Sequence, residues 1–507
     1  MEWSRYQQAL FDFGVNSSHN GIVTAVAGSG KTASIEELCR RLPESMKVKY
    51  LVFNKRNADE AQRRMPENVS ASTFHSACMH PLRQAFGRFR VDGDKTRALM
   101  DDLEREGLLS VSEVGKFASP VRQLVGLAKN TGIGTKIGPD IDDVDAWQDI
   151  VDHFGIEVNL PRGASAEDID ANQSQLVEIS QGILLRSIRD TGRIDFDDML
   201  YMVSYYDLPT ERYDMLCVDE AQDTNAIQRD ILGRMLGGRL IAVGDHRQAI
   251  YGFRGADVTA MQLIGERFEC DELPLSINYR CSTAVIDAAR PYCPQLEAHA
   301  GAPAGSVETL DAWKISDFAA GDAVLCRTTA PLIQLAMRMI GQRMPVAVLG
   351  RDIGAGLVRV VRPLANGTAR TVADFDAALD RYELAEEKRI ANKRNVDALR
   401  ARLDDRVSAL RAFIAPMSGE DPIEAIVDGI EGLFSDRAND GQTTLATVHK
   451  AKGMEWPRVF ILGREALMPL KWARQPWEIE QESNLIYVAM TRAKVDLRMV
   501  EVDRIGD

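Results

Sequence analysis

The chain has few cysteines, no long apolar run and no excess of positive charge, and each shortage removes a class of function. Its seven cysteines, at 39, 78, 217, 270, 281, 293 and 326, are scattered through 507 residues, and no two form a C-x-x-C pair. That spacing argues against a zinc or iron–sulfur site and fits reduced thiols in a cytosol. Several sit in apolar runs, where cysteine behaves as a small hydrophobe. No apolar run approaches the ~20 residues needed to cross a bilayer, so no membrane partner is expected. The N-terminus, Met1-Glu-Trp-Ser-Arg-Tyr6, lacks a basic-then-apolar export pattern, and a cytoplasmic protein of a bacterial or phage-infected cell is expected. Lys and Arg number 61 against 75 Asp and Glu, a net charge of −14. A protein that coats nucleic acid through its overall field is basic. Any nucleic acid must therefore follow a local groove, which excludes a passive coat but not a motor on a narrow track.

What is present reads as a multidomain α/β protein, with 45% hydrophobic and 27% charged residues and length for roughly three or four domains. Short β-type runs alternate with helical patterns over 20–75 and 213–265, as in a parallel sheet with helices on both faces. Residues 86–194 are mostly helical, with a Gly-rich break at Thr131–Gly138 and an acidic stretch at Asp140–Asp145. A second α/β pattern starts near Leu273 and includes 323–327, 346–350, 443–447 and 458–463. Between its halves, Val396, Leu399, Leu403, Val407, Leu410 and Ile414 recur at steps of three and four among many arginines. This predicts a helical hairpin with a solvated charged face rather than a dedicated binding surface. The expected plan is a first core at 1–85 and 195–272 with a helical insertion at 86–194. A second core is expected at 273–364 and 437–507, with a smaller insertion at 365–436.

The chemistry begins at Ala25-Val-Ala-Gly-Ser-Gly-Lys-Thr32. A β-type run, Gly21–Val26, precedes it and a helical pattern follows. Such a loop lets the backbone N–H groups of Val26, Ala27, Gly28, Ser29 and Gly30 close around phosphate oxygens at a helix N-terminus. Lys31 is placed to reach the β- and γ-phosphates, and the Thr32 hydroxyl to ligate Mg²⁺. Ala25 stands where the strict pattern has glycine. Far downstream, the apolar run Met215–Val218 delivers Asp219-Glu-Ala-Gln-Asp223. Asp219 suits a metal anchor, and Glu220 suits a base for an attacking water.

Another apolar run, Arg239–Val243, leads into Gly244-Asp-His-Arg-Gln-Ala-Ile-Tyr-Gly-Phe-Arg-Gly255. Gln248 has a donor and an acceptor, which suits sensing a γ-phosphate or holding water. Tyr251, Phe253 and Arg254 join aromatic faces to a guanidinium, which suits stacking on unpaired bases. Asn278-Tyr-Arg280 and Tyr487-Val-Ala-Met-Thr-Arg-Ala-Lys494 place arginines beside aromatics in the second core.

Taken in order over nearly the full length, these stretches resemble the superfamily 1 helicases of the UvrD/PcrA/Rep type. Ser4–Gln7 resembles the adenine-reading Q motif, and Ala25–Thr32 the Walker A motif. Val52–Lys55 and Ser72–His75 resemble strand contacts Ia and Ib, Asp219–Asp223 motif II, and Gly244–Gly255 motif III. Asn278–Arg280, Thr447–Glu455 and Val488–Lys494 resemble motifs IV, V and VI. The resemblance implies two RecA-like domains and ATP with Mg²⁺ as cofactors. It makes Lys31 and Thr32 phosphate and Mg²⁺ ligands, Asp219 the metal acid, Glu220 the base, and Arg280 and Arg492 the γ-phosphate arginines. Tyr279 resembles the aromatic beneath adenine, and Glu455 a ribose or nucleotide contact. For single-stranded or tailed duplex DNA it points to Asn54, His75, Tyr251, Phe253, Arg254 and Thr447. His75 also reads as a core histidine, and Asp195 and Asp198 as caps of a helix start.

Departures from the family pattern are visible. Ala33 follows the loop threonine where several relatives have arginine, so adenine packing falls more on Tyr279. Phe253 replaces a tryptophan, which keeps a π-face. The expectation is a monomeric 3′→5′ helicase or translocase coupled to ATP hydrolysis. A translocase that mainly strips bound proteins is an alternative, and so is a nucleotide-gated scaffold.

Overall fold

The computed structural model describes residues 2–156, 158, 166–250, 259–365, 369–391, 396–439 and 441–502. Contacts divide the chain into two units: Met1–Ala25 with Gly30–Ser276, and Val26–Ser29 with Ile277–Asp507.

The first unit is built on a six-stranded parallel sheet. Its strands lie in the order Val69–Thr73, Val48–Val52, Tyr213–Val218, Leu236–Gly244, Gly21–Ala25, Asp271–Leu275. Strands covered on both faces carry continuous apolar runs, and Val48–Val52 is buried at every position. One face packs Val23, Tyr50, Cys217 and Ile241 against Leu10, Phe11 and the helix Lys31–Arg41 through Ile35, Leu38 and Cys39. The other face, with Ile22, Leu51, Val218 and Leu240, shares one core with the helical insertion, including Phe117, Leu124 and Trp147. The insertion is therefore packed onto the sheet and is not a free lobe.

That packing encloses charge. Lys95 Nζ lies 2.7 Å from Asp198 Oδ2, and Lys129 Nζ lies 2.7 Å from Asp195 Oδ2 and from Asp198 Oδ1. Both lysines and Asp198 are fully buried or nearly so. Asp195 Oδ1 also accepts from the Asp198 N–H at 2.7 Å and caps the start of the helix Asp198–Tyr205. The network ties that helix to Lys95–Arg105 and Val111–Thr131.

The second unit holds a seven-stranded parallel sheet in the order Ser306–Leu310, Ala493–Val500, Trp456–Leu462, Ala323–Cys326, Thr443–Thr447, Val346–Leu349, Phe434–Ser435. Helices Arg351–Ala365, Val372–Ile390, Val396–Ile414 and Glu424–Leu433 share its core. Leu403, Val407, Leu410 and Ile414 are buried along one stripe of Val396–Ile414. Beside that stripe, partly exposed Arg411 pairs with Asp380 and Glu383 of the helix Val372–Ile390. Among the described residues, no helix is long and apolar enough to cross a membrane.

Candidate active site

Parallel strands present the ends of their C-terminal turns together, and the first unit uses this edge. Gly21–Ala25 runs into the phosphate loop, Tyr213–Val218 ends at Asp219, and Leu236–Gly244 ends at Asp245. Gly30 takes φ +77°, a left-handed turn that favours glycine, and starts the helix Lys31–Arg41 without any side-chain cap. The orphan N–H groups of that first turn therefore point at whatever sits before it.

Lys31 Nζ lies 2.6 Å from Glu220 Oε2. Burial alone would lower its ammonium, but the carboxylates of Glu220, Asp219 and Asp245 outweigh this and hold it above its ordinary value. Thr32 Oγ1 donates to Asp219 Oδ2 at 2.9 Å, and the Glu220 N–H donates to Asp219 Oδ1 at 2.9 Å. Burial and the neighbouring charge of Glu220 push Asp219 up, against the opposing pull of Lys31 and its hydrogen bonds. Glu220 sits at φ +51°, a left-handed position that costs a non-glycine residue energy.

From Glu220 a polar chain runs sideways through Gln222 and Asp245, neither assigned from sequence, to Gln248. Gln222 Nε2 donates to Glu220 Oε2 at 2.7 Å, and Gln222 Oε1 accepts from the Asp245 N–H at 3.0 Å. Gln248 Nε2 then donates to Asp245 Oδ2 at 2.6 Å. The close approach explains Gly244, since a Cβ there would lie 2.6 Å from Gln222 Oε1. Gln222 and Asp245 stand inside motif-like stretches, but nothing in their spacing distinguishes them from turn residues.

These groups fit a Mg²⁺–nucleotide. Thr32 and Asp219 are hard oxygen donors side by side. Ser29 Oγ is buried with no hydrogen-bond partner among the described residues, an orphan suited to a phosphate oxygen.

Other candidate residues occupy varied settings. Gln7 is buried; its Oε1 accepts from the Ser4 N–H at 3.0 Å and its Nε2 donates to Ser34 Oγ at 2.9 Å. Asn54 Oδ1 accepts from the Asn57 N–H, and Thr447 Oγ1 from the Lys450 N–H, so both cap helices. His75 is half-buried, which lowers its imidazolium pKa, and its ring meets Phe196 edge to face at 6.4 Å. Phe196 is 59% exposed, an apolar face beside a candidate DNA contact that its sequence stretch did not single out. Tyr251, Phe253 and Arg254 lie outside the described residues.

Within the second unit, Glu455 is held by Arg280 Nε at 2.5 Å and Lys494 Nζ at 2.7 Å. Burial would raise its carboxyl, but the two cations bring it below the usual range. Arg492 is 1% exposed. Its Nε donates to Val488 O at 3.0 Å, and its terminal nitrogens reach Met454 O and Thr491 Oγ1. Tyr279 is 40% exposed, with its ring 4.9 Å from His299. In the same unit the Ala27 N–H donates to Tyr487 Oη at 2.8 Å, and Ala27 O accepts from Asn278 Nδ2 at 2.6 Å.

Comparison with known proteins gives the family. The UvrD/REP helicase N-terminal domain model matches residues 13–269, and the UvrD-like helicase C-terminal domain model matches 382–503. The chain is 25% identical to F-box DNA helicase protein 1 of Schizosaccharomyces pombe, over 93% of its own length but 54% of that protein. It thus spans about half the length of that relative. It is 23% identical to the ATP-dependent DNA helicase PcrA of Leuconostoc citreum, covering 93% of this chain and 78% of that one. With the ATP-dependent DNA helicase UvrD2 of Mycobacterium tuberculosis it shares 25% identity over 94% of this chain and 76% of the relative. The chain belongs to the UvrD/REP helicase family.

Proposed function

We propose that the chain is an ATP-driven DNA motor that moves 3′→5′ along single-stranded DNA and separates duplex ahead of it. The observation that supports this reading is the gathering of Lys31, Thr32, Asp219 and Glu220 at one sheet edge. A nucleotide-gated scaffold that does not hydrolyse has no use for the carboxylate Glu220 as a base.

Lys31 and the first N–H groups of its helix would hold the β- and γ-phosphates. Thr32 and Asp219 would hold Mg²⁺, which neutralises phosphate charge when bound. Glu220 accepts the proton of the attacking water, oriented by the Gln222–Asp245–Gln248 chain. Arg280 and Arg492 supply positive charge to the γ-phosphate as negative charge builds there. Tyr279 stacks on adenine, with Gln7 reading its edge. His75, Phe196 and Phe253 stack on unpaired bases, with Arg254 on the strand.

DNA-stimulated ATP hydrolysis by the wild type and its loss in Lys31→Ala test this reading. A second reading, a translocase that strips bound proteins, is favoured by the short insertion at 365–436, about 70 residues. Duplex unwinding measured beside protein displacement separates the two.

A further inference from the structure

Asp219 has a third partner that no motif of the sequence includes. Tyr50, fully buried in Val48–Val52, donates its hydroxyl to Asp219 Oδ2 at 2.9 Å, the oxygen that also accepts from Thr32. Sheet register explains the meeting. Tyr50 lies beside Cys217 in the parallel pair, and side chains two residues apart share a face, so Asp219 follows Cys217 on the side where Tyr50 projects. The Asp219 N–H donates to Leu51 O at 3.0 Å, extending the ladder one step beyond the paired residues. The tyrosine ring lies in the core with Cys39 and Cys217, and only its hydroxyl reaches the polar edge.

We propose that Tyr50 is a positioning residue for the metal acid, holding the Asp219 carboxylate in the orientation that Mg²⁺–nucleotide requires. Thr32 is itself a candidate metal ligand, so its hydroxyl serves Asp219 only while it is not engaged elsewhere. Tyr50 has no such second duty, and its buried ring leaves the hydroxyl little freedom to turn away. Oδ2 therefore keeps one fixed donor when Thr32 turns to the metal. Oδ1 keeps the Glu220 N–H. The two anchors fix both oxygens of one carboxylate. The inference rests on the proposed nucleotide site.

The test uses the full chain and a fluorescent ATP analogue titrated at equilibrium, once in EDTA and once against increasing Mg²⁺. Tyr50→Phe removes one oxygen and keeps the ring. It should bind the analogue in EDTA within about twofold of wild type, while the Mg²⁺ concentration giving half-maximal enhancement rises about tenfold, the scale of one lost charge-assisted hydrogen bond. If the phenylalanine variant does not fold, Tyr50→Met fills the site without a hydroxyl and carries the same expectation. An unchanged Mg²⁺ midpoint, with or without lower thermal stability, means that Tyr50 only packs the core and overturns the inference. If the wild type itself shows no Mg²⁺-dependent binding, the nucleotide site falls and this inference falls with it.

Discussion

Lys31 and Glu220, 189 residues apart in sequence, meet at 2.6 Å at one edge of the first sheet. The pair joins the end of the glycine-rich loop to the acidic pair after the buried strand. If Lys31 holds phosphate as proposed, nucleotide binding would compete with this ion pair for the lysine.

Replacing Lys31 with alanine leaves Asp219, Glu220 and Asp245 facing one another without their shared cation. DNA-stimulated phosphate release should disappear while circular dichroism stays that of the wild type. Glu220→Gln should still bind nucleotide but turn over about 10²–10⁴-fold more slowly. Steady-state phosphate release and equilibrium binding, measured on the same preparations, separate the two roles.

The two arginines should behave differently. Arg492 is buried and bonded to backbone carbonyls, so Arg492→Ala takes a donor from Val488 O and from Met454 O and lowers thermal stability as well as turnover. Arg280 pairs mainly with Glu455 and is partly exposed, so Arg280→Ala should reduce turnover with little change in melting temperature. Equal melting shifts in the two variants would contradict this difference.

Asp198 is the shared counter-ion of two buried lysines. Asp198→Ala leaves Lys95 without a carboxylate and Lys129 with Asp195 alone, and breaking a buried pair in this way costs about 3–5 kcal/mol. Arg411→Ala, which removes a solvated pair, should cost about 0–1 kcal/mol. Thermal melts of the two variants provide the comparison.

Burial, followed by the charge of Asp195, raises the Asp197 carboxyl to about 6 from 3.8. The folded protein therefore holds this proton more tightly than the unfolded chain does. The residue costs no stability below about pH 4 and its full penalty above about pH 6. Asp197→Asn should raise the melting temperature clearly more at pH 7.5 than at pH 4.5. A gain of equal size at both values would contradict the assignment.

The stretches that gather Lys31, Thr32, Asp219 and Glu220 at one sheet edge were legible because their patterns are local. A glycine-rich loop between strand and helix, and an acidic pair after a buried strand, carry their signal within a few residues. Asp195 as a helix cap was legible for the same reason, but its buried partner Lys129 was not, since the lysine lies on another helix 66 residues away. Tyr50 was hidden in the same way. It reads as one more apolar residue of a central strand, and only the register against Cys217 brings its hydroxyl to Asp219. Gln7 carries a third lesson. Its motif-like position is also that of the fourth residue in a capping box, and the fold uses it as one. Sequence pattern alone does not separate these two uses.

Strand displacement by the wild type, with ATP, on duplexes carrying a 3′ single-stranded tail, a 5′ tail or blunt ends tests the central claim most directly. Separation of the 3′-tailed duplex is expected, with little of the other two and none with Lys31→Ala. Preference for the 5′-tailed duplex would contradict the proposed direction, and separation that survives Lys31→Ala would contradict an ATP-driven motor.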